Sequence, residues 1–375
     1  MNKKLWILVA VFVLIFIVHS LYFLRYQTDA PSDWKTEKST VGVQTTTIPV
    51  QQETEIVAQD LHIPWDIAFL PDGRMLVTER SGKLLLVGAE TKTIQEIEGV
   101  MHKGEGGLLG IAVHPQFEKN NYIYLYSTTL DNGDISNRVE RYTLIKDVLG
   151  QRKVILSGIK GSSNHDGGQL VFGPDGYLYI TTGDAENPDL AQDKNSLNGK
   201  ILRIKDDGTI PTDNPFKNAV YSMGHRNPQG LAWDANGTLW ETEHGPSGLQ
   251  TGYDEINRIE KGKNYGWPLI RGDEKRYGLT SPVLQSGGRD TWAPAGLAYR
   301  NGSLYFTGLR GEALYEAKIN KDNTINLTAH YKKEFGRLRA ITLGPDGSLY
   351  ISTSNRDGRG RAKNGDDKVI KFSIE

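Results

Sequence analysis

Leu170-Val171-Phe172-Gly173-Pro174-Asp175-Gly176-Tyr177-Leu178-Tyr179 spells out a short apolar strand, a turn and a second strand. Glycine supplies the positive φ that the turn requires, and the aspartate caps it with its own side chain. The phrase recurs at Ile67–Val77, Leu231–Trp240 and Ile341–Tyr350. Two looser copies run Leu297–Tyr305, turning on Asn301-Gly302, and Ile111–Leu125, turning near His114-Pro115. Successive turns lie about 45 to 65 residues apart, room for one four-stranded blade each. Six copies predict an all-β chain: a six-bladed β-propeller of four-stranded antiparallel blades over residues 51–375.

Composition agrees. Glycine (42 of 375 residues) and tyrosine (17) suit a turn-rich β protein. Lys plus Arg total 44 and Asp plus Glu 45, so no global field draws in nucleic acid. Recognition by charge must therefore be local. The absence of cysteine removes disulfides, thiolate metal sites and a cysteine nucleophile.

The start of the chain reads differently. Lys3-Lys4 precede a mostly apolar run, Leu5–Leu24, long enough as a helix to span a hydrocarbon core of about 30 Å. The expectation is one N-terminal transmembrane helix within residues 1–25, with the lysines cytoplasmic and the rest extracytoplasmic. A cleaved signal sequence is the alternative, and the protein would then be secreted. Residues 26–50, rich in Thr, Ser, Asp and Gln, read as a solvated linker.

In a propeller, the loop entering the first strand of a blade and the loop leaving the second open on one face. Sorted by that rule, the entering loops carry Trp65-Asp66, Glu105, Asn164-His165-Asp166, Arg226-Asn227, Ala293 and Arg337-Leu338-Arg339. The leaving loops carry Glu79-Arg80, Gly183-Asp184, Glu243-His244-Gly245-Pro246, Leu309-Arg310 and Asn355-Arg356-Asp357. The Pro-Asp-Gly turns at the other end are bland, so a pocket is expected on the first face.

Within it, His165 is a general-base candidate and Asp184, in the same hairpin, could orient its ring. The alternative for His165 is an ordinary surface histidine. Arg226, Arg337 and Arg339 could fork onto ligand carboxylates or simply form rim salt bridges. Period-2 alternation would point Arg337 and Arg339 the same way. Carbonyls of Gly245 and Pro246 would suit a hard cation such as Ca²⁺. No Rossmann, Walker, GxSxG or HExxH pattern is present, so redox chemistry would require a bound organic cofactor.

At these residues the chain resembles the glucose/sorbosone dehydrogenase family of six-bladed quinoproteins. The resemblance rests on Gly106–Pro115, Asn164–Leu170, Gly183-Asp184, Gly224–Leu231, Glu243–Pro246, Asp254–Asn257 and Asn264–Pro268. It implies pyrroloquinoline quinone (PQQ) on the propeller axis and oxidation of an aldose at its anomeric carbon, with an external electron acceptor. It further implies His165 as base, Asp184 as its partner and Arg226 beside the quinone. Glu105, Asn227, Arg310, Arg337 and Arg339 fall at cofactor-binding positions, and Gly245 and Pro246 at the Ca²⁺ site. Two positions depart from the pattern: Glu105 stands where the family usually has Gln, and Leu309 where it usually has Lys, with Arg310 adjacent.

Two other function classes fit the repeat: a calcium-dependent lactonase, and a non-enzymatic propeller that binds glycans or a partner. The sequence leaves association open, a homodimer included.

Overall fold

The computed structural model describes residues 53–247, 251–322 and 324–373. Residues 1–25 and 26–50, for which a membrane helix and a linker are expected, lie outside the described residues. Among the described residues, no helix is long and apolar enough to cross a membrane.

The expected six four-stranded antiparallel sheets are all present. In the first five blades the strands follow chain order from the axis outward: Pro64–Phe69 to Thr91–Glu96, Leu108–Val113 to Val148–Lys160, Leu170–Phe172 to Val220–Met223, Pro228–Trp233 to Leu284–Gln285, and Pro294–Arg300 to Ile325–His330. The sixth is composite. Leu338–Leu343, Leu349–Thr353 and Val369–Phe372 make its three inner strands, and Thr54–Ala58 supplies the outer one. It pairs antiparallel with Val369–Phe372, in the register Thr54↔Phe372 to Ala58↔Val369. The two ends of the described chain thus close the ring, which leaves the sixth sheet no gap on its outer side.

The turns form as their residues dictate. In the third blade Gly176 adopts φ 77° and its N–H donates to Gly173 O at 3.0 Å or less, while the Tyr177 N–H donates to Asp175 Oδ1 at 3.1 Å. The second oxygen of the same aspartate accepts from Tyr179 OH at 3.0 Å. Asp346 repeats the arrangement with Tyr350 OH at 3.2 Å, and Asp234 with Trp240 Nε1 at 3.0 Å. Each turn residue therefore also anchors an aromatic of the next strand.

The second strand of each hairpin, expected to alternate apolar and polar, is apolar on both faces. Met75 and Val77 pack into the joint with the sixth blade, Leu76 into the joint with the second. Leu85 and Val87 follow the first pattern, Leu84 and Leu86 the other. A middle strand is covered on both sides by neighbouring blades, so alternation selects a neighbour instead of solvent. Every blade joint holds such an apolar cluster. The ring therefore fixes the inner strands, and with them the loops at their ends.

Candidate functional site: a guanidinium-lined cavity on the propeller axis

The inner strands begin irregularly. Register shifts fall at Pro64/Asp66, Leu108/Ile111, Pro228/Gly230, Pro294/Leu297 and Leu338/Ile341, always at the start of the innermost strand. Such bulges re-aim side chains where pairing ends. In the third blade, Gly167 and Gly168 at φ 67° and 115° take that place. These ends surround a cavity of about 490 Å³ lined by Glu105, Asn164, His165, Glu186, Arg226, His244, Gly245, Pro246, Leu309, Arg310, Arg337 and Arg359, among others. The entering and leaving loops thus meet on one face, as the repeat predicts.

His165 Nδ1 lies 2.7 Å from Asp184 Oδ1, with the imidazole 16% exposed and the carboxylate 1%. The same oxygen accepts the Glu186 N–H at 2.9 Å, and Oδ2 accepts Trp267 Nε1–H at 2.8 Å. A carboxylate only accepts, so the proton on this edge of the ring sits on Nδ1, and in the neutral ring the lone pair is on Nε2. The backbone of His165 is held as firmly: φ is 63°, its N–H donates to Glu105 Oε2 at 3.1 Å, and its carbonyl accepts from Ala185 at 3.2 Å. A Cβ on Gly183 would lie 1.8 Å from that carbonyl oxygen, so only glycine lets the two loops approach. Lys200 secures the loop bearing Asp184 from below. Its Nζ donates to the carbonyls of Leu190, Ala191 and Asn198 at 2.7, 3.0 and 2.7 Å, and burial lowers its pKa to about 7.

Arg226 lines the cavity over Trp267, 5.4 Å from the ring centroid. Its guanidinium donates to His244 O at 3.3 Å and Ser247 Oγ at 3.1 Å. Arg337 forks onto Asp357 (Nε 2.8 Å, Nη2 2.7 Å) and donates from Nη1 to Leu309 O at 3.0 Å. Rim salt bridging, the plainer alternative for this residue, is therefore realised. Arg339 is not on the cavity wall. It is buried, 5.4 Å over Trp65, with Nη1 on Gln229 Oε1 at 3.2 Å and Nε without a partner. Arg337 and Arg339 bracket Leu338, where the register shift begins, so period-2 alternation does not carry between them. Arg80, Arg337, Arg339 and Arg359 share this corner with the carboxylates of Glu105 and Asp357. Burial, reinforced by Arg80, lowers the Arg339 pKa to about 9.

Across the cavity the chemistry inverts. Gly245 N–H donates to Asp254 Oδ1 at 2.8 Å, while Asp254 Oδ2 gathers Thr291 Oγ1 and the N–H groups of Trp292 and Ala293 at 2.8, 2.6 and 2.9 Å. Among the described residues, no group donates to the carbonyls of Gly245 or Pro246, which line the cavity. Behind them, ligand atoms of His225, Glu241 and Glu243 lie within 4.8 Å of one another, all buried. Nδ1 of His225 and Oε1 of Glu241 lack partners. Burial pushes the carboxyls of Glu241 and Glu255 well up, and Glu243 to about 7, so this cluster holds protons near neutrality.

Of the residues singled out from the sequence, His165, Glu105, Arg226, Arg310, Arg337, Gly245 and Pro246 line one cavity, and Asp184 stands directly behind His165. Arg310 reaches Thr251 Oγ1 at 3.4 Å. Asn227 lies deeper. Its Oδ1 accepts from Gly167 at 3.1 Å, and its buried Nδ2 has no partner. Sequence reasoning gave no role to Arg359, Asp254 or Trp267. Asp254 and Trp267 stood inside recognisable stretches, whereas Arg359 in Gly358-Arg359-Gly360 carries no pattern at all.

Comparison with known proteins agrees with this architecture. The chain is 32% identical over 350 residues to the aldose sugar dehydrogenase YliI of Escherichia coli, covering 83% of this chain and 92% of the relative. It is 37% identical over 257 residues to quinoprotein glucose dehydrogenase B of Acinetobacter calcoaceticus, covering 59% and 53%. The PQQ-bound structure of an aldose sugar dehydrogenase from Streptomyces coelicolor superposes with a TM-score of 0.80 at 38% identity, covering 87% of this chain and 99% of that one. The family model for glucose / sorbosone dehydrogenase matches residues 61–362, which take in five whole blades and the two inner strands of the sixth, and the chain belongs to that family.

Proposed function

We propose that this chain oxidises aldose sugars at the anomeric carbon to lactones, with PQQ as bound oxidant and Ca²⁺ beside it. One observation carries the reading: a histidine clamped by a buried carboxylate opens onto a cavity that the guanidiniums of Arg226, Arg310, Arg337 and Arg359 line together. A flat tricarboxylate fits such a set of forks. Arg226, Arg310 and Arg337 would hold it, with Asn227 and Arg339 behind the wall supporting them. The carbonyls of Gly245 and Pro246, which accept from no described residue, would hold the cation. When bound, the quinone accepts the hydride from the anomeric carbon and Ca²⁺ acts as Lewis acid.

The rest falls to side chains. His165 Nε2 takes the proton of the anomeric hydroxyl, so hydride and proton leave together and the carbonyl of the lactone forms. Asp184 keeps Nδ1–H in place and offsets the charge that grows on the imidazolium. Arg226 presents fixed positive charge to the cavity without reorganising, because Ser247 and His244 already hold it. A calcium-dependent lactonase would leave the guanidinium corner without employment.

The test is to incubate metal-free protein with Ca²⁺ and PQQ and follow aldose-dependent bleaching of the bound chromophore. His165→Ala should bind quinone and fail to bleach it. Bleaching within tenfold of the parent rate would remove His165 from the role of base. The run Leu5–Leu24 supports a membrane-anchored, extracytoplasmic placement. Recovery of the native protein wholly in the soluble fraction, lacking residues 1–24, would reject the anchor.

A further inference from the structure

We infer that Arg359 belongs to the ligand-binding machinery: by neutralising Glu105 it turns an acidic stretch of cavity wall into one that accepts an anionic cofactor. This inference rests on the quinone reading above.

Glu105 lines the cavity, where an uncompensated carboxylate would repel an anionic ligand. The fold answers with a residue 254 positions away. Arg359 Nη1 contacts Glu105 Oε1 at 2.6 Å, and Nη2 donates to Asn164 Oδ1 at 3.1 Å. The other carboxylate oxygen accepts the His165 N–H at 3.1 Å. Arg359 is itself held, since its N–H and that of Gly360 donate to Asp357 Oδ1 at 2.9 and 3.2 Å. Asp357 Oδ2 is in turn gripped by Arg337. One chain of contacts thus runs from Arg337 through Asp357 and Arg359 to Glu105 and the backbone of the base.

The pair is not decorative. Burial alone would raise the Glu105 carboxyl, yet its pKa is held down to about 2 by His244, Arg359 and the His165 N–H. Arg359 is the cationic side chain in direct contact with that carboxylate, at 2.6 Å. The carboxylate is therefore ionised whenever the enzyme works, and the guanidinium decides what a ligand feels there. Removing Arg359 would leave the carboxylate in the cavity wall with no guanidinium in contact. Removing both charges, with glutamine at position 105, would leave a neutral wall that still accepts the His165 N–H.

The experiment measures PQQ affinity directly on Ca²⁺-loaded protein, by equilibrium dialysis and tryptophan quenching. Arg359→Ala should weaken binding roughly 10- to 100-fold, the scale of an unscreened like charge several ångströms away at an effective dielectric near 20. Glu105→Gln combined with Arg359→Ala should return to within about threefold of the parent, as a compensating pair requires. The trimethyl ester of the quinone, lacking the negative charges, should bind all three proteins alike. Unchanged affinity in Arg359→Ala, or a double variant as weak as the single, overturns the inference. Equal losses for acid and ester overturn it too, since a merely structural role would produce them. A parent protein that takes up no quinone overturns the proposed function itself.

Discussion

Asp184→Asn separates orientation from charge at the candidate base. Asp184 accepts three N–H groups: His165 Nδ1 at 2.7 Å and Glu186 N at 2.9 Å on Oδ1, and Trp267 Nε1 at 2.8 Å on Oδ2. An amide has one acceptor oxygen. If that oxygen stays with His165, the new NH₂ meets the Trp267 N–H donor to donor, at a cost of about 1–3 kcal/mol in stability. The chemical loss is larger. Without the carboxylate, nothing offsets the imidazolium as His165 takes the proton, and positioned acid–base catalysis is worth about 10²- to 10⁴-fold. At about 1.4 kcal/mol per decade, kcat should drop by about 3 to 5 kcal/mol in barrier terms. Because Asp184 lies behind the cavity wall, quinone affinity should stay within about threefold of the parent. Dye-linked aldose oxidation on reconstituted protein, alongside equilibrium binding, measures both. Trp267→Phe is the companion variant: it removes one donor and leaves the charge, so kcat should fall less than about tenfold. A kcat for Asp184→Asn within about fivefold of parent, with binding intact, would refute the dyad.

Two further outcomes follow from close packing and from titration. Gly183→Ala would drive a Cβ to 1.8 Å from His165 O and 2.3 Å from its carbonyl carbon. The loops must part, costing more than about 3 kcal/mol in urea unfolding and most of the activity. Glu241→Gln addresses the buried acid cluster. Its folded pKa is raised, so below the unfolded value near 4.5 both states hold the proton and its stabilising share is complete. That share is lost as pH rises towards the folded pKa, because the unfolded chain ionises freely and the native one does not. Replacing it should flatten the decline in stability between pH 5 and 7.5 by up to about 1.4 kcal/mol per pH unit. An unchanged slope would mean that the carboxyl is ionised in the fold, as it would be beside a cation.

The blades were legible because each rests on a local signal. Gly176 and Asp175 make their turn from their own side chains and φ, whatever surrounds them. The rim was legible because topology alone sends entering and leaving loops to one face. What escaped depends on ring closure. Thr54–Ala58 has no local feature that assigns it to the sixth blade; its partner is Val369–Phe372, at the far end of the described chain. The bulges escaped too, and with them the true setting of Arg339, which alternation pairs with Arg337 but the structure seats over Trp65. Arg359 was invisible for the same reason, since its meaning lies wholly in a carboxylate brought from the second blade's entry loop.

The distribution of charge around the cavity explains why a quinone and a cation would belong together. Arg80, Arg337, Arg339 and Arg359 crowd one side with Glu105 and Asp357, while Arg226 on the other stands among Asp184, Glu243 and Asp254. An anion bound at the first side relieves mutual repulsion among guanidiniums that burial already disfavours. A divalent cation near Gly245 and Pro246 relieves the acids. Each ligand alone leaves the opposite wall unbalanced, and inside a low-dielectric cavity that imbalance is poorly screened. Bound together, the two also neutralise each other at short range. Linkage then requires that each tighten the other by the same factor. Under the proposed function, the polarity of the cavity, more than any single arginine, would fit a polyanion with its metal to this ring.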